Sequence, residues 1–239
     1  MDGLLQKVLD AYGGLDRWNS FSTLTVKSAT GGRFWTTKGI PENHAWGNIT
    51  IHTANEFTSI APYDAPNHQM TFVPDRVVIE DTDRQVVGEL VNPRDTFSGY
   101  GPYAYWDVLH QAYFNGYALW TYLATPFLLA RDGVEVTEIA PWYEDGEVWR
   151  VLNVVLPAGL ASHSAEQQFY FGPDYLLRRQ DYHLELSGGA RVAHYVSDFV
   201  EVQGLRFPTR RHAYHRGADA QPDRNQLLVW IRFTDFRLS

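Results

Sequence analysis

The chain has no cysteine, which excludes disulfide staples, thiolate metal sites and cysteine nucleophiles together. It has no basic block either. Acids and bases are interspersed and sum to a net charge of −8, an argument against a nucleic-acid or anionic-membrane partner. The nearest approach to a long apolar run, residues 113–130, is broken by Asn115, Gly116 and Pro126 and is rich in Tyr, so it reads as a packed helix and membrane insertion is not expected. The first fourteen residues carry Asp2, Lys7 and Asp10 and lack the uninterrupted apolar core of a secretory signal, which makes a cytoplasmic protein the expectation. Catalytic signatures are equally sparse. There is no HExxH, no Gly-x-Ser-x-Gly and no Gly-x-Gly-x-x-Gly, and Gly31-Gly32, Gly99-Tyr100-Gly101 and Gly188-Gly189 fall in turns, so neither metal nor nucleotide cofactors are expected.

What is present is apolar and aromatic: 44% and 15% of 239 residues, enough to bury a sizeable core, read as one domain over 1–239. Leu5, Val8, Leu9 and Tyr12 recur at helical spacing, with Asp2 as a cap and Gly13-Gly14 as a stop. Then the pattern turns to strands at 24–28, 32–37, 45–52, 56–61, 68–73 and 76–81, divided by Gly, Pro, Asn and Asp. Residues 91–101 read as a loop, and Pro102 opens a second helix that Thr125-Pro126 ends. Trp106, Leu109, Tyr113, Tyr117 and Trp120 share one face of it. Further strands follow at 134–139, 148–156, 165–171, 176–186, 191–202, 205–215 and 226–238. This predicts a mainly β fold: one strongly curved antiparallel sheet, a half or open barrel, with the long aromatic helix on its concave side and a short N-terminal helix.

That ordering resembles the open-barrel fold of bacterial lipoprotein carriers of the LolA/LolB and LppX type, in which a half barrel cups helices and hosts an apolar ligand. More locally, WDVLHQAYFNGYALWTYLATPF at 106–127, HSAEQQFYF at 163–171, LLRRQDYHLE at 176–185, AHY at 193–195 and FPTRR at 207–211 are similar to segments of a bacterial family common in actinobacteria.

The candidate chemistry lies in the C-terminal third. If 187–190 makes a hairpin turn, His183 faces His194 and Arg179 faces Asp198; with a turn at Gln203-Gly204, Val196 faces Arg211. Asp181 then lies diagonal to His194, within reach of a hydrogen bond that would make the imidazole a general base. The catalytic candidates are His194, Asp181, Arg179 and His183, with Arg179 and Arg211 placed to hold an oxyanion or carboxylate. His183, His194 and Asp181 could also ligate a metal, though no spacing signature supports it. The opposite face, with Tyr182 and Tyr195, competes for the cavity lining. On the helix, Asp107 and His110 form an i, i+3 pair, read first as a local hydrogen bond. Trp106, His110, Tyr113, Tyr117, Trp120, Tyr182, Tyr195 and Arg211 are the expected ligand-binding residues. His163-Ser164 beside Glu166 is too bare for a nucleophile, and His212 and His215 read as surface residues. Two functions follow: binding of a small hydrophobic or aromatic molecule between sheet and helix, or a cofactor-independent isomerase, cyclase, lyase or hydrolase using the Asp–His pair.

Overall fold

Thirteen strands form a single antiparallel sheet in the structure, a computed structural model that describes residues 3–239. β1 (Thr23–Gly31), β2 (Asn43–His52), β3 (Thr58–Ala61), β4 (His68–Val73), β5 (Arg76–Asp81) and β6 (Val86–Val91) make one meander. A second comprises β7 (Glu135–Glu144), β8 (Glu147–Val155), β9 (Glu166–Phe171), β10 (Leu177–Leu184), β11 (Ala190–Val202), β12 (Leu205–Arg216) and β13 (Pro222–Leu238). The meanders join where β1 pairs with β13, which leaves β6 and β7 as the two edges of an unclosed sheet.

The link from β6 to β7 crosses the concave side as α4 (Val108–Ala124), and its contacts measure the curvature. Thr58 Oγ1 on β3 donates to Gly116 O at 2.8 Å, while Arg211 Nη2 on β12 donates to Tyr122 O at 2.7 Å and Tyr182 on β10 brings its hydroxyl within 3.2 Å of Tyr122 Oη. Laid flat, β3 and β10 would stand roughly 29 Å apart, six spacings of about 4.8 Å, against a helix about 10–12 Å wide. The sheet therefore wraps α4. Fourteen of the helix's seventeen residues are buried, as a helix that is apolar all round requires. α1 (Gly3–Ala11) and α2 (Leu15–Asn19) close one end, where Trp18 stacks on Phe127 at 4.6 Å. Among the described residues no helix is long and apolar enough to cross a membrane.

Four local expectations change. Residues 32–37 are not a strand: α3 (Arg33–Thr37) is a five-residue helix that turns Phe34 and Trp35 inward. The long helix starts at Val108 rather than Pro102, because Asp107 is its N-cap, its Oδ1 accepting from the N–H groups of Leu109 and His110 at 2.9 Å each. Strand β6 was not anticipated; it is an edge strand with Val86, Val87 and Val91 exposed, so it lacks alternation. The 91–101 loop contains a 3₁₀ turn at Pro93–Phe97. Asp2, the expected cap of α1, lies outside the described residues.

Register decides which side chains reach the interior. Between β11 and β12 it is as expected, Val196 opposite Arg211, set by the two-residue turn Gln203-Gly204 with both φ angles positive (49° and 79°). Between β10 and β11 it is not. Gln180, not His183, faces His194, and Arg179 faces Tyr195 instead of Asp198. The turn uses a 3₁₀ segment, Glu185–Ser187, followed by Gly188 and Gly189 at φ 72° and 71°, so pairing resumes at Leu184 and Ala190. The displacement is an odd number of residues, and because strand side chains alternate, it moves Arg179, Asp181 and His183 to the face opposite His194.

Candidate ligand-binding site

The concave side holds a pocket between α4, α3 and strands β2 and β10–β13. Phe34 and Trp35 enter from α3; Phe114, Ala118 and Tyr122, four residues apart, line it from α4; Leu184, Val192, His194, Ala213 and Ile231 form its floor. Its polar lining is confined to Asn115, Tyr122, Tyr182 and His194. Its volume is about 40 Å³, room for a water or two. A larger guest has to part α4 and α3 from the sheet.

The polar side of this pocket is a buried chain of hydrogen bonds. Tyr117 Oη lies 3.1 Å from His163 Nδ1, His163 Nε2 2.6 Å from Tyr122 Oη, Tyr122 Oη 3.2 Å from Tyr182 Oη, and Tyr182 Oη 3.2 Å from His194 Nδ1. His163 also stacks on Tyr182 at 4.3 Å. Burial, aided by the charge of Arg94, pushes His163 down to about 3; burial first, then Arg211 and His163, holds His194 well below the ordinary imidazole range. Both rings are neutral at pH 7. Burial likewise raises Tyr122 to about 12 and Tyr182 well above the ordinary phenol range, so every hydroxyl keeps its proton. Arg211, its guanidinium 4.6 Å over the Tyr122 ring, is lowered by burial only to about 10 and stays charged. Among the described residues two atoms of that guanidinium, Nε and Nη1, find no hydrogen-bond partner, nor do His194 Nε2 and Gln180 Oε1.

No family model matches this chain, and no curated protein does. Among solved structures, a LolA superfamily protein from Nitrosomonas europaea superposes with a TM-score of 0.54 at 12% identity, over 98% of this chain and 93% of that one. The fold is LolA-like. A putative outer membrane lipoprotein-sorting protein domain from Vibrio parahaemolyticus (TM-score 0.49, 9% identity, 96% and 93% covered) and the lipoprotein LppX from Mycobacterium tuberculosis (0.32, 11%, 99% and 96%) match over similar lengths.

In this LolA-like frame the expected residues separate. Tyr182 and His194 line the pocket, and Arg211 stands two positions along β12 from Ala213 on the same face. Asp181 and His194 form no pair: Asp181 lies on the outer face, its oxygens bound by Arg179 Nε and Nη2 at 2.6 and 2.7 Å and by Tyr170 Oη at 3.1 Å. The acid–base route and the metal set built on that pair have no geometry here. Arg179 is fully buried under Trp142, Tyr170 and Tyr195, and its Nη1 also donates to Glu144 Oε2 at 3.0 Å. Tyr195 belongs to that outer cluster, His183 is exposed beside Arg191, and Asp198 pairs with Arg210 at 2.8 Å. Trp106 and Tyr113 pack in the core around Phe97, Tyr117 binds His163, and Trp120 Nε1 donates to His52 O at 3.0 Å. His110 sits 2.8 Å from Asp107 and 3.2 Å from Thr96 Oγ1, the local arrangement. Phe34, Trp35, Phe114, Tyr122 and His163 were missed. Only the Phe114–Ala118–Tyr122 spacing signalled any of them, and α4 is apolar on every face.

One half-buried acid gives a pH signature. Glu56 Oε2 accepts from Ala161 N at 3.0 Å, Oε1 has no partner, and burial raises its pKa to about 8 against the opposing pull of that bond, Arg131 and Arg94. The folded pKa exceeds the unfolded one, so Glu56 weakens the fold progressively as pH rises from about 4.5 to about 8. Glu56→Gln is expected to match wild type at pH 4.5, to gain up to about 1.4 kcal/mol per pH unit between there and about pH 8, and to level off above it, read by urea denaturation at several pH values. A gain independent of pH would contradict this.

Proposed function

We propose that this protein binds a small apolar or aromatic molecule between α4 and the concave face of its LolA-like sheet. The observation that carries the reading is the pocket itself: aromatic and aliphatic on nearly all sides, with Tyr122, Tyr182 and His194 hydrogen-bonded together at one end, the composition of a small-molecule site. Apolar walls favour transfer of a hydrocarbon from water by about 25 cal/mol per Å² buried, enough to offset modest side-chain rearrangement. The open sheet supplies the means of entry, because α4 hangs between β6 and β7 on connections of 16 and 10 residues, 92–107 and 125–134, and is not enclosed by a sealed barrel.

Trp35 and Trp46 line the pocket and report on it directly. Titration with decanol is expected to change tryptophan fluorescence saturably with one site per chain, and to raise the thermal midpoint in proportion to the logarithm of ligand concentration above Kd. A linear, unsaturable response with no thermal shift would overturn the proposal.

A further inference from the structure

The pocket's polar end is built from donors. In the chain from Tyr117 through His163, Tyr122 and Tyr182 to His194, five groups carry five protons, since both imidazoles are neutral, and four hydrogen bonds connect them. One proton is left over. If the chain ran from His194 toward Tyr117, the Tyr117 hydroxyl would have no acceptor in the interior, because its one bonded partner is His163 Nδ1. Run the other way, every hydroxyl is used, and the surplus proton sits on His194 Nε2, the unpartnered atom at the pocket wall.

Arg211 adds to this on the same face. Val196 opposite Arg211 and His194 opposite Ala213 make His194 and Arg211 diagonal neighbours across β11 and β12, about 7–8 Å apart at their backbones. Tyr122 joins them: its ring lies under the guanidinium and edge-on to the imidazole at 4.8 Å. Arg211 is 1% exposed, makes one bond, to Tyr122 O, and among the described residues has no acid within ion-pair distance. A buried cation without an acid beside it is costly to the fold, and an arriving anion would offset that cost. Among the described residues Gln180 Oε1, across from His194, is the single unbonded acceptor at this end, against three unpartnered donor nitrogens and a full positive charge.

We infer that the ligand is an amphiphile with an anionic, carboxylate-type head, which the open edge of the Arg211 guanidinium and His194 Nε2 receive while the apolar tail lies along Phe34, Trp35, Leu119 and Ile231. This rests on the binding function proposed above. A planar carboxylate suits a single guanidinium, which offers two donors along one edge, Nε with Nη2 or Nη1 with Nη2; Nη2 carries two protons and gives one to Tyr122 O, so one such edge stays open.

The test compares decanoate with decanol and methyl decanoate at pH 8, by calorimetry on wild type, Arg211→Met and Arg211→Lys. Decanoate is expected to bind wild type at least tenfold tighter than either neutral probe. Arg211→Met should abolish that preference, leave decanol within threefold of wild type, and raise the thermal midpoint of the protein without ligand, because an unpaired charge has been removed from the interior; Arg211→Lys should keep a reduced preference. Equal binding of acid and alcohol to wild type would overturn the inference and leave the binding function standing. Binding of none of the three would overturn both. A lowered thermal midpoint in Arg211→Met with parallel loss of acid and alcohol binding would show Arg211 to be structural.

Discussion

Arg179→Ala is expected to cost about 3–5 kcal/mol of folding stability, among the largest losses available in this protein, while leaving ligand affinity of the remaining folded molecules unchanged. Arg179 has no exposed side-chain surface and binds both oxygens of Asp181, a Glu144 oxygen, Tyr195 Oη at 3.2 Å and Ala220 O at 2.6 Å. Removing it strands two buried carboxylates. Their other cations compensate only in part: Arg216 reaches Asp181 at 3.4 Å and Arg224, half exposed, reaches Glu144 at 3.0 Å. The aromatic wall of Trp142, Tyr170 and Tyr195 loses its cation as well. Urea denaturation gives the stability and fluorescence titration the affinity. A loss below 1 kcal/mol would show that the clamp contributes little, and an intact fold with weakened binding would return Arg179 to the ligand site.

Gly116→Val is expected to destabilise by about 3 kcal/mol although valine has the higher helix propensity. A Cβ on Gly116 would lie 2.4 Å from Phe72 Cβ and 2.3 Å from its Cγ, atoms fixed close to the β4 backbone. The helix cannot retreat easily, because the neighbouring Gly116 carbonyl is held by Thr58. Even Gly116→Ala should be net destabilising, the overlap outweighing the roughly 1 kcal/mol that alanine contributes to a helix. A double-mutant cycle with Phe72→Ala checks the cause: Gly116→Ala should cost much less in that background. Additive losses would place the strain elsewhere.

Much of the fold was legible because its signals are local. Gly, Pro and Asn clusters punctuate nearly every strand, His68–Val73 and Arg76–Asp81 to the residue, and the aromatic run after Trp106 could only be a helix in need of cover. Where the reading failed, the deciding information was not local. Gly188 and Gly189 permit several turn lengths, and a three-residue difference sent Asp181 and His194 to opposite faces. Five residues of α3 are too few to show a helical period, so Phe34 and Trp35 read as strand. With α4 apolar all round, periodicity could not choose between the Tyr113–Tyr117–Trp120 face and the Phe114–Ala118–Tyr122 face that fronts the pocket. His163, between two short polar residues, became meaningful only when folding placed it between Tyr117 and Tyr122.

The central claim is a place, so its most direct test is crystallographic: anomalous diffraction from protein soaked with 10-bromodecanol. The account places the bromine between α4 and the concave sheet, ringed by Phe34, Trp35, Leu119 and Ile231. Bromine found only on the outer face beside Trp142 and Tyr195, or at no fixed position while the concave side stays tightly packed, would contradict it.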